Sequence, residues 1–408
     1  MSNKVIVDFD HHSPEVAKQG VDAWNALREA SPIAYSSKHG GFWVVSDYEG
    51  VAEVARNDTD FSSNHDVEND RQAGCGIMIP PTSQRFAPIE YDPPLHGAMR
   101  KLLLPWFSRS KADDLEPVVR QAATVAIDRF IETGVCDLVH DFASEVPAVA
   151  TLALYNMEHV DAKMYAQTFH MHMYAASDPD VHHQVIENMA IIDADVEAMI
   201  DDRRRSPREN DIVSALVHSE VLGEQLTVQQ IKDNMRALLG GGLDTTASLT
   251  ATTLAWLGQN PDAIQRLRDE PDLYVTATEE FLRCFAPTPA LSRTMKNEYD
   301  MRGNIFAPGE RVMMSWLGAN HDPQEFEDPD QVNLERVPNR HTSFGIGAHR
   351  CIGSHFARME FEILIQEVLN RLPDFKIDYE RAQKYPSLGI MNGYINLPAT
   401  FTPGPRVQ

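Results

Sequence analysis

A chain of 408 residues, 43% hydrophobic and 24% charged, has the make-up of an ordinary globular protein and excludes a disordered or fibrous one. Its 36 basic against 60 acidic residues leave a formal charge of −24, which argues against a nucleic-acid binder, because such proteins gain affinity by neutralising phosphates. Four scattered cysteines, Cys75, Cys136, Cys284 and Cys351, form no paired motif, so free thiols in a reducing compartment are expected rather than a disulfide scaffold or a four-thiolate zinc site.

The N-terminus lacks a basic region followed by an apolar run. Residues 235–257 are the most apolar stretch but carry three glycines, Asp244 and a series of threonines, so no membrane anchor and a cytoplasmic location are expected. Residues 14–31 have helical periodicity through Val16, Val21, Trp24 and Leu27. A short strand is expected at Phe42 to Val45, then a helix over 48–57. Residues 62–92 form a long proline-containing loop, with Gly74 and Gly76 flanking Cys75 and an apolar run, Ile77, Met78 and Ile79, expected to close over a pocket, the alternative being that the run fills core beneath the loop. Helices dominate from about 95 to 372, with breaks at 206–210, Gly223, Pro261 and Pro287. The stretch 309–316 reads as a strand entering a helix. In the tail, Asn392-Gly393 between apolar runs predicts a hairpin. The sum is a mainly α chain with a minor β portion, one domain over 1–408, its strands near 30–60, 288–315 and 385–403.

Two segments carry chemistry. Thr227 and Gln230 make a capping box that opens a helix running to Asn260-Pro261. Between Ala237 and Gln259 its only charge is Asp244, so it belongs in a large core. Gly240, Gly241 and Gly242 weaken it by about 0.5–1 kcal/mol each, which either close approach of a flat ligand or tight helix packing could offset. Asp244-Thr245 suits a proton relay; alternatively the threonine merely bonds back to the previous turn.

The second segment is FGIGAHRCIG, Phe344 to Gly353, leading into an amphipathic helix. Its glycines permit a tight turn, and Cys351 falls at a helix N-terminus, where free N–H groups favour a thiolate. His349, Cys351 and His355 could suggest zinc, but the fourth ligand is missing and the glycines go unexplained; a single thiolate on haem iron needs one cysteine.

The string resembles the cysteine-loop signature of the cytochrome P450 family. GGLDTT at 241–246 resembles that family's oxygen-binding helix, Glu280-Phe-Leu-Arg283 its ExxR helix, and DPPLHGAMR, with His96 and Arg100, the helix crossing the haem. The resemblance covers essentially the whole chain.

It implies the P450 fold, with the long helix over haem b. It implies Cys351 as the axial ligand, His96, Arg100, Arg293 and His349 on the haem propionates, and Phe344 and Gly241 against the cofactor. Glu280, Arg283 and Arg336 would form a structural triad, and Asp244 and Thr245 would deliver protons. The reaction implied is RH + O₂ + 2e⁻ + 2H⁺ → ROH + H₂O. Its competitors are a haem sensor or carrier without turnover, and a same-fold enzyme of coupling, desaturation or peroxygenation. No flavin or iron–sulfur segment is evident, so electrons are expected from a ferredoxin or flavodoxin and its reductase, docking on Arg100, Lys101, Arg109 and Lys111. The substrate pocket is expected from Ile77, Met78, Ile79, Leu239, Gly240, Ala290, Leu291, Ile390 and Met391, an apolar set suited to a hydrophobic molecule of terpenoid, steroid, fatty acyl or secondary-metabolite type. His170, His172, His182 and His183 are read as solvated or packed residues.

Overall fold

Helices carry most of the chain in the computed structural model, which describes residues 4–64, 76–81 and 85–407. The long apolar pattern is one helix, Val228–Leu257, opened by reciprocal bonds in which the Gln230 N–H donates to Thr227 Oγ1 and the Thr227 N–H to Gln230 Oε1. At about 1.5 Å per residue it is roughly 45 Å long.

Its two ends lie in different cores. Ile231, Met235, Leu239 and Leu243 pack with helices Glu145–Leu154, Ala162–His172 and Pro179–Arg205. Leu249, Leu254 and Leu257 share a second cluster with Arg109–Phe130, Tyr274–Phe285 and Ser354–Arg371. Burying one such side chain contributes about 1.5–3 kcal/mol, so both ends are held firmly and the middle of the helix is left to border a cavity.

The β portion is small. Its largest sheet runs Ile6–Val7, Ile33–Ser36, Phe42–Val45, Arg311–Ser315, Ala290–Met295, Phe61–Ser62 in spatial order. Phe42–Val45 pairs antiparallel with Ile33–Ser36 and parallel with Arg311–Ser315, which leads into the helix Trp316–Asn320 as the pattern predicts. Among the described residues no helix is long and apolar enough to cross a membrane.

Two expectations are corrected. Residues 14–31 form two helices, Pro14–Gln19 and Val21–Ala30, because Gly20 at φ +61° breaks the run. The tail has no two-residue hairpin at Asn392-Gly393. Asn392 is drawn away: its N–H donates to the Pro287 carbonyl and its side chain to that of Phe285, at the end of Tyr274–Phe285. Tyr394–Asn396 pairs instead with Gln383–Lys384, and Pro398–Thr400 with Lys376–Ile377 and Val135–Asp137.

Candidate active site

The two chemical segments border one cavity. Gly241, Gly242, Thr245 and Thr246 line it from the long helix, and Phe344, Gly345, His349, Arg350, Cys351 and Gly353 line it from the cysteine loop. It holds ≈ 1600 Å³ of atom-free space, its mouth included.

The loop that presents the cysteine is closed by backbone bonds. The Cys351 N–H donates to the Phe344 carbonyl at 2.7 Å and the Gly345 N–H to the Thr342 carbonyl at 2.7 Å. Gly345 and Gly347 sit at φ +69° and +77°, and a Cβ on Gly347 would come 2.8 Å from the Ala55 carbonyl oxygen, so both the conformation and the space demand glycine there. Helix Ser354–Arg371 follows directly. Cys351 is accessible from the cavity although protein encloses it. Burial dominates and holds its thiol above the ordinary value, against the Gly353 N–H, Arg100 and Arg350, which pull it down. Each of those three stabilises sulfur as an anion, the form in which it binds a metal.

At one side of the cavity the rings of His96 and His349 stack at 3.8 Å, next to Arg100 and Arg293. Among the described residues neither arginine forms an ion pair with a carboxylate. Burial and the neighbouring cations hold His349 down to about 2 and His96 down to about 4, and burial brings Arg293 down to about 10. Two desolvated guanidinium groups without an ion-pair partner, beside two neutral imidazoles, are costly alone and become favourable once anionic oxygens join them. A thiolate donor, a glycine-lined helix face and an uncompensated cationic rim together fit a flat macrocycle that carries two carboxylates and a metal, as haem b does.

The three central glycines divide between the two explanations of their presence. A Cβ on Gly242 would come 2.6 Å from Thr151 Oγ1, so this position serves helix packing. Gly241 has open space beside it and faces the cavity. Gly240 lies against Phe169, 3.1 Å from a would-be Cβ.

Thr245 and Asp244 point to different places. Thr245 borders the cavity, its Oγ1 donating to the Gly241 carbonyl at 2.9 Å. Asp244 is buried and turned to the far side. Its Oδ1 lies 3.1 Å from His170 Nδ1, and its Oδ2 accepts from the Tyr385 hydroxyl at 3.0 Å. Tyr385 Oη is also 2.9 Å from His170 Nδ1, and His170 Nε2 is 2.8 Å from the Ile395 carbonyl. His170 is therefore neither solvated nor merely packed, as its lack of sequence spacing suggested. Burial works against its charge, but Asp244 and the Ile395 carbonyl outweigh it and hold its pKa above the ordinary value. With an acceptor at each nitrogen, the arrangement suits imidazolium paired with carboxylate. Helix Ala162–His172 brings His170 there, and the C-terminal segment brings Tyr385, so two distant stretches converge on one acid.

Of the expected substrate-pocket residues only Leu291 lines this cavity. Ile79 and Ala290 pack instead in a separate cluster with Phe9, Trp24 and Leu388. Ile77 is fixed by backbone bonds, its N–H donating to Glu90 and its carbonyl accepting from Ser292, and the Met78 carbonyl accepts from Arg311. Leu239 belongs to the core around the first half of the long helix, and Gly240, Ile390 and Met391 also lie off the cavity. The expected mobility at Gly74 and Cys75 falls outside the described residues. The walls are supplied by Ala87, Ile89, Phe107, Leu154, Leu238 and Leu291, among others.

One lining group escaped notice in the sequence. Glu360, on Ser354–Arg371, is a carboxyl in an apolar setting: burial pushes it up to about 8, against a hydrogen bond from Thr246. A proton is thus bound more tightly in the folded than in the unfolded chain, whose glutamates titrate near 4.5. Stability from this group is full below about 4.5 and is lost as pH rises toward 8. Glu360→Gln should flatten that slope, as read from urea midpoints of the haem-loaded protein at a series of pH values; an unchanged slope would assign the dependence elsewhere.

Beneath the cysteine loop, Glu280 accepts two bonds from Arg283, both at 2.8 Å, and further bonds from Arg336 Nε, Asn339 Nδ2 and the Asn333 N–H.

The chain matches the family model described as Cytochrome P450 over residues 36–391. It is 29% identical to a steroid C26-monooxygenase of Mycobacterium tuberculosis, with 98% of each chain covered. It is 26% identical to linalool 8-monooxygenase of Pseudomonas putida, over 97% of this chain and 99% of that one. The solved structure of the Bacillus subtilis bacillaene polyketide synthase cytochrome P450 PksS superposes with a TM-score of 0.84 at 24% identity, covering 96% and 99%, which speaks to the fold.

Proposed function

Because the chain belongs to the cytochrome P450 family and is a haem-thiolate monooxygenase, we propose that it hydroxylates an apolar molecule of small to medium size, using electrons from a separate ferredoxin- or flavodoxin-type protein. The observation that carries this reading is the single cavity bordered by both Cys351 and Thr245. Haem bound there supplies oxygen activation and the oxidation itself. Cys351 holds its iron, and His96, Arg100, Arg293 and His349 hold its two carboxylates.

Protons travel along the chain's own groups. Thr245, with its hydroxyl already at the cavity wall, is the inner group of the relay, and the buried Asp244, held by His170 and Tyr385, is the group behind it. Thr245→Ala should retain haem and substrate but divert reducing equivalents to hydrogen peroxide. Asp244→Asn should slow turnover by about 100-fold, within the range removal of an acid–base group brings. Equal product per NADH in wild type and Thr245→Ala would take Thr245 out of the mechanism.

The substrate class rests on the walls. Apart from the groups assigned to the cofactor, the ionisable lining side chains among the described residues are Arg350, beside Cys351, Glu360, which is held neutral near pH 7, and the buried phenol Tyr155, and the rest of the wall is largely apolar. Steroid- or terpenoid-sized compounds fit that description, and the names of two relatives carry a steroid and linalool. A screen for compounds that shift the haem Soret band, followed by product analysis with a reductase system, tests it; selective binding of charged, hydrophilic compounds would overturn it. For the electron donor, Lys101 and Arg109 are exposed near the helix Leu95–Leu103, a basic area on a strongly acidic protein, suited to an acidic redox partner in the cytoplasm.

A further inference from the structure

Away from the haem cavity, the N-terminal segment and the turn after Ile33–Ser36 bring three histidines and an aspartate together. The His11 and His12 rings lie 4.3 Å apart, and the His39 ring stands edge-on to both, at 5.6 and 5.2 Å. His39 Nε2 is 2.8 Å from Asp10 Oδ1, which also accepts from the His12 N–H at 2.9 Å. Donor atoms of Asp10, His11 and His39 all lie within 4.8 Å of one another.

The tautomers are set by a single acceptor. His11 Nε2 and His12 Nε2 both face the Ile79 carbonyl, at 2.7 and 2.8 Å, so both nitrogens carry hydrogen and Nδ1 of each ring keeps its lone pair. On His11 that Nδ1 is buried, in a ring only 1% exposed, and has no hydrogen-bond partner. An imidazole whose one nitrogen donates to a backbone carbonyl while the other is left bare has the outer-shell arrangement usual for histidines that ligate metals. A buried nitrogen with nothing to bond otherwise costs free energy for no return.

We propose that Asp10, His11 and His39 form a binding site for a divalent cation of the zinc class. Two imidazole nitrogens and one carboxylate oxygen are a borderline donor set, suited to zinc and unlike the all-oxygen sets of calcium and magnesium. The cation takes the place of the proton between His39 and Asp10, and His11 Nδ1 supplies the buried ligand. His39 is exposed, which gives the ion access and leaves a fourth position to water.

The consequence is structural. The His11 carbonyl accepts from the Leu388 N–H, and the His12 ring lies so close to Gly389 that a Cβ there would come 2.0 Å from it. The Ile79 carbonyl belongs to the segment 76–81, which precedes the cavity-lining Ala87, Pro88 and Ile89. The ion therefore pins the N-terminal segment to the turn holding His39, at the point where the 76–81 and 388–389 segments meet.

The test is calorimetric titration of the chelator-treated, haem-loaded protein with zinc chloride. One equivalent is expected to bind, and His39→Ala and Asp10→Asn should each weaken binding by about tenfold or more, as loss of a ligand demands. His183→Ala serves as the control, since His183 and Glu187 form an exposed pair one helical turn apart that could take zinc on its own. Unchanged binding in that control supports the site. No uptake by the wild-type protein, equal affinity in His39→Ala, or loss of binding in His183→Ala would overturn it.

Discussion

Replacement of Cys351 by alanine is expected to abolish monooxygenase turnover and the red-shifted carbon monoxide spectrum of a thiolate-ligated ferrous haem. Among the described residues Cys351 is the only cysteine bordering the cavity. Cys136 packs against the core of Arg109–Phe130, with its thiol pushed far up by burial. Cys284 is buried beside Arg283, pushed up to about 12 by the same cause. Neither borders the cavity, so neither can reach a metal held in it. At Cys351 burial also pushes the thiol up, and the Gly353 N–H, Arg100 and Arg350 oppose it by favouring the anion. The loop is closed by the Cys351 backbone N–H and not by its sulfur, so alanine leaves that closure in place. The variant should therefore fold and bind some haem while losing the spectrum, whereas Cys136→Ala and Cys284→Ala keep it. A Cys351→Ala protein that retained the thiolate band would remove Cys351 from the iron.

The loop and the long helix were legible because their chemistry is written locally. A glycine that must adopt positive φ, as Gly345 and Gly347 do, or a capping box such as Thr227 with Gln230, leaves its mark within a few residues. The walls of the cavity were not legible in that way. Ile77, Met78 and Ile79 form an apolar run inside a polar loop, and such a run fits a lid or a core equally well. Only the backbone bonds of Ile77 to Glu90 and Ser292, and the contacts of Ile79 with Phe9 and Trp24, decide for the core. His170 was missed for a related reason. Its partners Asp244 and Tyr385 lie 74 and 215 positions away, and no periodicity links them. Glu360 sits among apolar residues of an amphipathic helix, and its protonation follows from burial, which the pattern alone does not reveal.

Glu280→Gln should be the most destabilising of the substitutions considered. Glu280 and Arg283 are both fully buried. Burial disfavours the Glu280 carboxylate, but bonds from Arg283, the Asn333 N–H and Arg336 outweigh that and hold its pKa below the usual value. Arg283 spends its remaining N–H groups on the carbonyls of Asn320, Pro329 and Gln331, and Arg336 reaches the carbonyl of Glu327. One carboxylate thus pairs with two guanidinium groups and ties Tyr274–Phe285 to the irregular segment 320–339 that leads into the cysteine loop. A neutral glutamine leaves both cations in place, one of them fully buried, and turns an acceptor into an amide donor facing one of them. Removing one partner of such a buried pair costs about 3–5 kcal/mol, a large share of the roughly 5–15 kcal/mol that holds a typical domain folded. The loss should appear as a lowered denaturation midpoint and as release of haem, since the segment carrying Cys351 loses its anchor. Because the wild-type carboxylate titrates low, its contribution is full above the unfolded value of 4.5 and fades as pH falls through its folded pKa, so the gap between wild type and Glu280→Gln should narrow in acid. A variant as stable as the wild type at pH 7, with haem retained, would show that the backbone carbonyls around Arg283 suffice without the carboxylate.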